Sequence, residues 1–209
     1  LALADLPSFN PSDYSEETDF SVFQSDAIQK IFEPGSVFKP ITMAGAIDQG
    51  KITPETTYQD SGVLKIDGWP IYNYAQRQYP GDITMTQVLE KSINTGAVFA
   101  EGQLGNKKFL EYVTKFGIFK KTGIDLQGET APSNLEFRKG SEINYATASF
   151  GQGIEMTPIQ LVRAFCVIAN GGKLVKPHLV EQEPEISNNN IISPQTASKV
   201  TAMLVSVVE

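Results

Sequence analysis

Histidine and cysteine are nearly missing: the 209 residues include one of each, His178 and Cys166. A single cysteine excludes an internal disulfide and any cysteine-rich metal site. A single histidine excludes a histidine-based zinc centre and argues against a Ser-His-Asp triad. Basic residues are also scarce, with 17 Lys plus Arg against 24 Asp plus Glu and a net charge of −7. Phosphate backbones are gripped by Lys and Arg, so an acidic chain makes a poor general nucleic-acid binder. Apolar runs such as Ala164–Ala169 fall far short of the ~20 residues of a membrane span. What remains is 41% hydrophobic and 20% charged, with 17 Gly and 12 Pro. That is ordinary globular usage, unlike a disordered, collagenous or coiled-coil chain. The length suits one domain with a real core.

Punctuation residues divide the chain. Leu1–Ala4 reads as a strand running into a turn at Pro7-Ser8, and Asn10–Asp19 as a polar loop. Glu33-Pro34-Gly35-Ser36 opens a helix that runs to about Asp48, with Gly50 beyond its end. Pro40 is tolerable there because the first turn has few paired backbone donors. The stretch from Lys51 to Asp82 is loop-rich, with a short strand at Val63–Ile66. Thr84 and Gln87 form a capping box for a helix over Met85–Lys91. Ser92-Ile93-Asn94 interrupts the helical pattern, which resumes over Ala97–Leu104. Asn106 is placed to cap a further helix with Phe109, Leu110, Val113 and Phe116 on one face. Thr130–Ser141 reads as loop, Asn144–Ser149 leads into Gly-rich 150–153, and Thr157, Pro158 and Gln160 mark a helix start. Gly171-Gly172 ends that helix, and Leu174–Val180 reads as a strand, Glu183–Asn190 as a polar turn. Ser193 and Pro194 open a last helix carrying Val200, Met203, Leu204, Val207 and Val208 at helical spacing. Helices outnumber strands, which fits one α/β or α+β domain. Cys166, inside Leu161–Ala169, reads as core filler rather than reactive thiol. His178 reads as a strand residue rather than a base.

Two constellations carry chemistry. Ser36 at a helix start places Lys39 one turn later on the same face. A serine hydroxyl needs an adjacent base to become a nucleophile, and a lysine amine serves once burial lowers its pKa. The positive end of the helix favours a developing oxyanion, for which the Ser36 N–H is one candidate donor. The bland alternative is a helix cap and a solvated lysine. Ser92 and Asn94, two residues apart on a connector, bring a hydroxyl able to relay a proton and an amide able to hold a carbonyl; a simple helix–helix corner is the other reading. Tyr58, Trp69, Tyr72, Tyr74 and Tyr79 either wall a cleft or pack beneath the loops.

In context, these residues resemble a known family. Glu33-Pro34-Gly35-Ser36-Val37-Phe38-Lys39-Pro40 is similar to the active-serine motif of penicillin-binding proteins, and Ser92-Ile93-Asn94-Thr95-Gly96 to their second motif. Leu3–Phe9, Phe116-Gly117-Ile118, Lys121–Leu126 with Gly128-Glu129, Phe150–Ile154 with Thr157–Leu161, and Ala169–Gly172 with Pro177-His178 resemble class B transpeptidase stretches in the expected order. The resemblance implies the transpeptidase fold shared with serine β-lactamases, an antiparallel sheet flanked by helices. It implies Ser36 as nucleophile, Lys39 as its base, and Ser92 and Asn94 for proton relay and peptide orientation. It further implies a peptidoglycan stem peptide ending in D-Ala-D-Ala as donor, β-lactams as mimics, a glycosyltransferase partner and neither metal nor cofactor. A membrane-tethered parent with this domain outside the cytoplasm also follows.

The family's third motif is Lys-Thr-Gly or Lys-Ser-Gly on the strand beside the cleft. Lys121-Thr122-Gly123 has those letters, but it follows a helix and precedes Phe150–Gly153, so it reads as a structural turn. The true triplet is then expected beyond Glu209. With Leu1 lacking any leader before it, residues 1–209 read as a partial domain cut at both ends. A fragment of this kind is expected to be poorly active. The competing readings are a serine β-lactamase, a non-catalytic β-lactam sensor and a degenerate copy. Class A β-lactamases have Asp where Ile93 stands and need a carboxylate for which no residue can be nominated.

Overall fold

The computed structural model describes residues 1–183 and 185–209. Its centre is helix α2 (Lys39–Asp48), continuous with a single 3-10 turn over Gly35–Phe38. The segment Lys-Pro-Ile-Thr-Met-Ala-Gly-Ala-Ile is apolar nearly all round, and a helix of that kind must be covered on every side. Every residue from Lys39 to Ile47 is indeed buried. Around it pack α3 (Met85–Glu90), α4 (Asn94–Leu104), α5 (Asn106–Lys115), α8 (Pro158–Ala169) and α9 (Pro194–Val208). Short helices α1 (Asp26–Gln29), α6 (Leu135–Lys139) and α7 (Glu142–Ala148) complete the helical set among the described residues.

Among the described residues, strands form three antiparallel pairs: β1 (Thr57–Gln59) with β4 (Asp82–Thr84), β2 (Val63–Ile66) with β3 (Trp69–Tyr72), and β5 (Lys173–Val175) with β6 (Ile186–Asn190). The mixed helix-and-antiparallel-sheet class expected from sequence is the one observed. Thr84 and Gln87 make their reciprocal capping bonds, at 3.2 and 3.0 Å. Gln160 accepts from Thr157 N–H at 2.8 Å. Ser193 caps α9, and Asp48 at the end of α2 accepts from Ser193 N–H and Thr196 Oγ1, locking the two helices end to end.

Several local expectations fail. Leu1–Ala4 forms no strand among the described residues; its side chains are exposed, so no partner surface fixes an extended pairing. Thr130–Ser141 is not all loop, because Phe137 is fully buried and draws Leu135–Lys139 into α6. The polar 183–190 stretch contains β6, whose Asn-rich backbone is recruited by pairing with β5. The strand predicted over Leu174–Val180 stops at Val175, leaving His178 exposed outside any strand. Asn106 starts α5 without a side-chain cap. Cys166 is half-buried rather than core.

One buried carboxyl lacks a full set of partners. Glu101 of α4 is buried, and its Oε1 has no hydrogen-bond partner among the described residues. Burial, helped by the Glu142 carboxylate, pushes its pKa from 4.5 up to about 7. The folded state therefore keeps its proton while the unfolded chain ionises. This side chain's contribution falls as pH rises from 4.5 to 7, by on the order of 3 kcal/mol. Glu101→Gln is expected to match the wild type in thermal melts at pH 4 and to exceed it by roughly 6–12 °C at pH 8.

Candidate active site

Ser36 lies in the 3-10 turn and Lys39 is the first residue of α2. The Lys39 Nζ lies 3.0 Å from Ser36 Oγ, 2.9 Å from Ser92 Oγ and 2.8 Å from the Ser92 carbonyl oxygen. Three oxygens thus match the three N–H bonds of an ammonium. They equally suit a neutral amine that donates to the two Ser92 oxygens and accepts from the Ser36 hydroxyl. No carboxylate pairs with Lys39 among the described residues, and the side chain is 1% exposed. Burial therefore pushes its pKa from 10.5 down to about 8, into the range of a base near neutrality.

Ser92 meets Lys39 because the chain leaves the helical path there. Ser92 has φ +53°, an uncommon value for a non-glycine residue, between the end of α3 and the start of α4. Buried Ile93 anchors the corner. Gly96 lets α4 close on α3, since a Cβ there would sit 2.4 Å from Val88 Cγ2. Asn94 donates from Nδ2 to the Tyr72 carbonyl at 2.8 Å, and among the described residues no hydrogen bond engages its Oδ1.

A cleft of about 450 Å³ opens over this group. Its lining includes Ser36, Ser92, Asn94, Arg77, Lys91 and Gln152. Of the aromatic residues, Tyr72, Tyr74 and Tyr79 also line it. Tyr58 packs beneath instead, stacked on Phe99 and 3.1 Å from Thr95 Oγ1, and Trp69 is exposed. The cleft thus brings together Ser36, Ser92 and Asn94, with Lys39 directly beneath Ser36.

The structure also supplies support that the sequence does not advertise. Buried Asp60 accepts from Gly62 N–H, Asn73 Nδ2, Tyr79 N–H and Thr95 Oγ1. Burial pushes this carboxyl up, but those four donors outweigh it and hold the pKa below the ordinary value. Asp60 thereby pins the 60–79 wall to the start of α4, beside Asn94. On the opposite side, Gly35 N–H donates to the Gly151 carbonyl at 2.9 Å, and Glu33 accepts from Gly153 N–H. Lys121-Thr122-Gly123 lies outside the cleft. Thr122 and Gly123 donate to Glu129, and Lys121 is exposed. The triplet is irregular backbone held by the Glu129 carboxylate; it stands apart from the cleft, as its sequence context predicts, but forms no turn of its own.

A family model described as the penicillin binding protein transpeptidase domain matches residues 1–209. The chain belongs to the penicillin-binding protein transpeptidase family. The stage V sporulation protein D of Bacillus subtilis is 33% identical, covering 100% of this chain and 34% of that protein. The peptidoglycan D,D-transpeptidase FtsI of Escherichia coli (strain K12) is 28% identical over 99% of this chain and 34% of its own. This transpeptidase-family chain therefore spans about a third of the length of these curated relatives. Among solved structures, the apo TP domain of Burkholderia pseudomallei penicillin-binding protein 3 superposes with a TM-score of 0.79 at 28% identity, covering 89% of this chain and 56% of that one.

The serine turn depends on a close approach that only glycine permits. Gly151 has φ +80°, and a Cβ on it would fall 2.1 Å from the Gly35 carbonyl oxygen. Gly151→Ala is expected to destabilise the protein by about 2–4 kcal/mol in denaturant titration, because backbone must move on both sides. Gly102→Ala is the contrasting case. It sits in α4 with nothing within 4 Å of the new methyl, and should stabilise by up to about 1 kcal/mol.

Proposed function

We propose that this domain is the acyl-transfer module of a peptidoglycan D,D-transpeptidase, with Ser36 as nucleophile. The observation that carries the reading is the Lys39 amine, buried without a counter-ion and 3.0 Å from Ser36 Oγ. Neutral Lys39 takes the hydroxyl proton as Oγ attacks the carbonyl of the penultimate D-Ala of a stem peptide. The Oγ–C bond forms, the peptide C–N bond breaks, and terminal D-Ala leaves with a proton returned through Lys39 and Ser92. An amine of a neighbouring stem then attacks the ester, the C–N cross-link forms as the Oγ–C bond breaks, and the proton lost by the amine returns to Ser36 Oγ through Lys39. Asn94 holds the donor peptide through its amide, and the positive end of the helix together with the Ser36 N–H stabilises the oxyanion. A β-lactam enters the same path and stays esterified.

Two further observations support transfer to an amine over hydrolysis. No Asp or Glu lines the cleft among the described residues, so no carboxylate is at hand to activate a deacylating water. The relatives' names also include a D,D-transpeptidase. The same reading places the parent protein on the outer face of the cytoplasmic membrane, tethered by a segment outside this chain and working with a glycosyltransferase. Within the described residues no helix is long and apolar enough to cross a membrane.

The test is acylation by a fluorescent penicillin in the full-length protein, read by intact mass and peptide mapping. One adduct on Ser36 is expected, with none in Ser36→Ala. Because the reactive form of Lys39 is the neutral one, the acylation rate should rise about tenfold per pH unit below pH 8 and level off above it. Lys39→Met should slow labelling by roughly 10²–10⁴. A rate flat from pH 6 to 9, or an adduct mapped elsewhere, sinks the proposal.

A further inference from the structure

An antiparallel hairpin lying on a core ordinarily turns apolar side chains inward and polar ones to water. The β2–β3 hairpin is apolar on both faces. Inward, Leu64, Ile66 and Ile71 pack with Ala97, Val98 and Phe150. Outward, the register pairs Val63 with Tyr72 and Lys65 with Pro70, so these four share the other face. All four are exposed. Asn73 continues in extended backbone with its side chain bound to Asp60, and Tyr74 returns to the outer side. Tyr72 and Tyr74 are 46% and 78% exposed. Lys65 is the one charge in a strip otherwise made of Val63, Pro70 and the two tyrosines.

The strip starts at the cleft, since Tyr72 and Tyr74 line it beside Ser36 while Val63 and Pro70 lie beyond its rim. Its rings are held in place. The Tyr72 carbonyl accepts from Asn94 Nδ2 at 2.8 Å, and the Arg77 guanidinium backs the Tyr74 ring at 5.7 Å. Ala75 and Gln76, just after Tyr74, have φ +52° and +55°, a conformation that non-glycine residues keep when their surroundings impose it. An apolar surface left open to water marks a binding site, and fixed rings lose little freedom when a ligand arrives. The shape of the strip selects that ligand. Two strands about 5 Å apart make a face far narrower than the ~800 Å² that a stable protein partner covers. A chain of sugar rings is narrow enough, and its C–H bonds are drawn to the negative face of a tyrosine ring.

We propose that the outer face of the β2–β3 hairpin, from Tyr74 through Tyr72 to Val63 and Pro70, binds the amino-sugar chain from which the donor peptide hangs. This deepens the transpeptidase reading and rests on it. The sugar chain lies along the strip while its peptide turns into the cleft toward Ser36. No bond is made or broken on the strip. It acts by raising the effective concentration of the tethered peptide at the nucleophile.

The experiment compares two donors with the same stem peptide, one free and one carried on a short peptidoglycan sugar chain. The ratio of their Ser36 acylation rates, measured in the full-length protein at low donor concentration, isolates the sugar. The sugar-borne donor is expected to react roughly three- to tenfold faster, the scale of a contact with a ring face. In Tyr72→Ser/Tyr74→Ser the ratio should fall to about one, with the free-peptide rate reporting whether the cleft still works. Tyr72→Phe/Tyr74→Phe keeps the rings and should keep the ratio. Val63→Asp, beyond the rim of the cleft, should lower the ratio while penicillin still labels Ser36. Trp69→Ala removes an exposed ring whose register partner is Ile66 of the inner face, and should leave the ratio unchanged. Equal rates for both donors in the wild type, a preference that survives the double serine variant, or an equal loss in Trp69→Ala would overturn the sugar platform while leaving the transpeptidase reading intact. Dimerisation abolished by Val63→Asp would also overturn it, by giving the strip to a second copy of the chain. Failure of penicillin itself to label Ser36 would overturn both.

Discussion

The site depends on putting an ammonium where water cannot reach it and giving it no anion. Lys39 occupies the first turn of a helix that is covered on all sides. The same burial that makes α2 the centre of the fold lowers the lysine's affinity for its proton. Three neutral oxygens, from Ser36 and Ser92, keep the amine hydrogen-bonded without restoring that affinity as a carboxylate would. A salt bridge at this position would leave Lys39 charged and Ser36 without a base. Stability and reactivity are therefore coupled in one side chain: the apolar surroundings that hold α2 together are also what disposes the amine to accept a proton.

Around this pair the fold holds two walls by different means. The 60–79 wall hangs on Asp60, a carboxylate whose four donors come from both the wall itself and the start of α4. The 150–153 wall is held by backbone contact, with Gly151 against Gly35 and Glu33 reaching Gly153. A polar hub of this kind tolerates no loss of its acceptor, since each donor would be left buried and unpaired. The glycine contact tolerates no added atom. Both walls are thus specified by single residues that do not themselves react, as positioned sites require.

Much of this was legible in the residues. Ser36 with Lys39, and Ser92 with Asn94, stand out because helical spacing and an interrupted helix leave marks on sequence, and Thr84–Gln87 and Ser193 announce helix starts through local hydrogen bonding. The context of Lys121-Thr122-Gly123 was enough to separate it from the cleft. What was not legible is whatever depends on partners distant in sequence. Asp60 sits in a loop-rich stretch with no periodicity, and its importance arises only when Asn73, Tyr79 and Thr95 converge on it. The β6 strand has a composition poor in strand formers and exists because β5 is beside it. Buried Phe137 made a helix inside an apparent loop, whereas exposed Leu1–Ala4, apolar enough for a strand, found nothing to pair with. Trp69, Tyr58 and the three cleft tyrosines look alike in one dimension and part company only in three.

The break between α3 and α4 shows why an apparent defect in a helix belongs to the site. Were residues 85–104 one continuous helix, the Ser92 carbonyl would accept the N–H four residues on and be closed to any other donor. The left-handed conformation of Ser92 takes that carbonyl out of the ladder and turns it, together with the hydroxyl, onto the Lys39 amine. Such a conformation costs on the order of 1–3 kcal/mol. Burial of Ile93 just beyond it recovers an amount of the same order, and restarts the helix so that Asn94 emerges at the cleft. One strained residue thus supplies two of the three oxygens that hold the amine. The strain falls on the residue that links the buried pair to the open cleft, which is where a regular helix could serve only one of them.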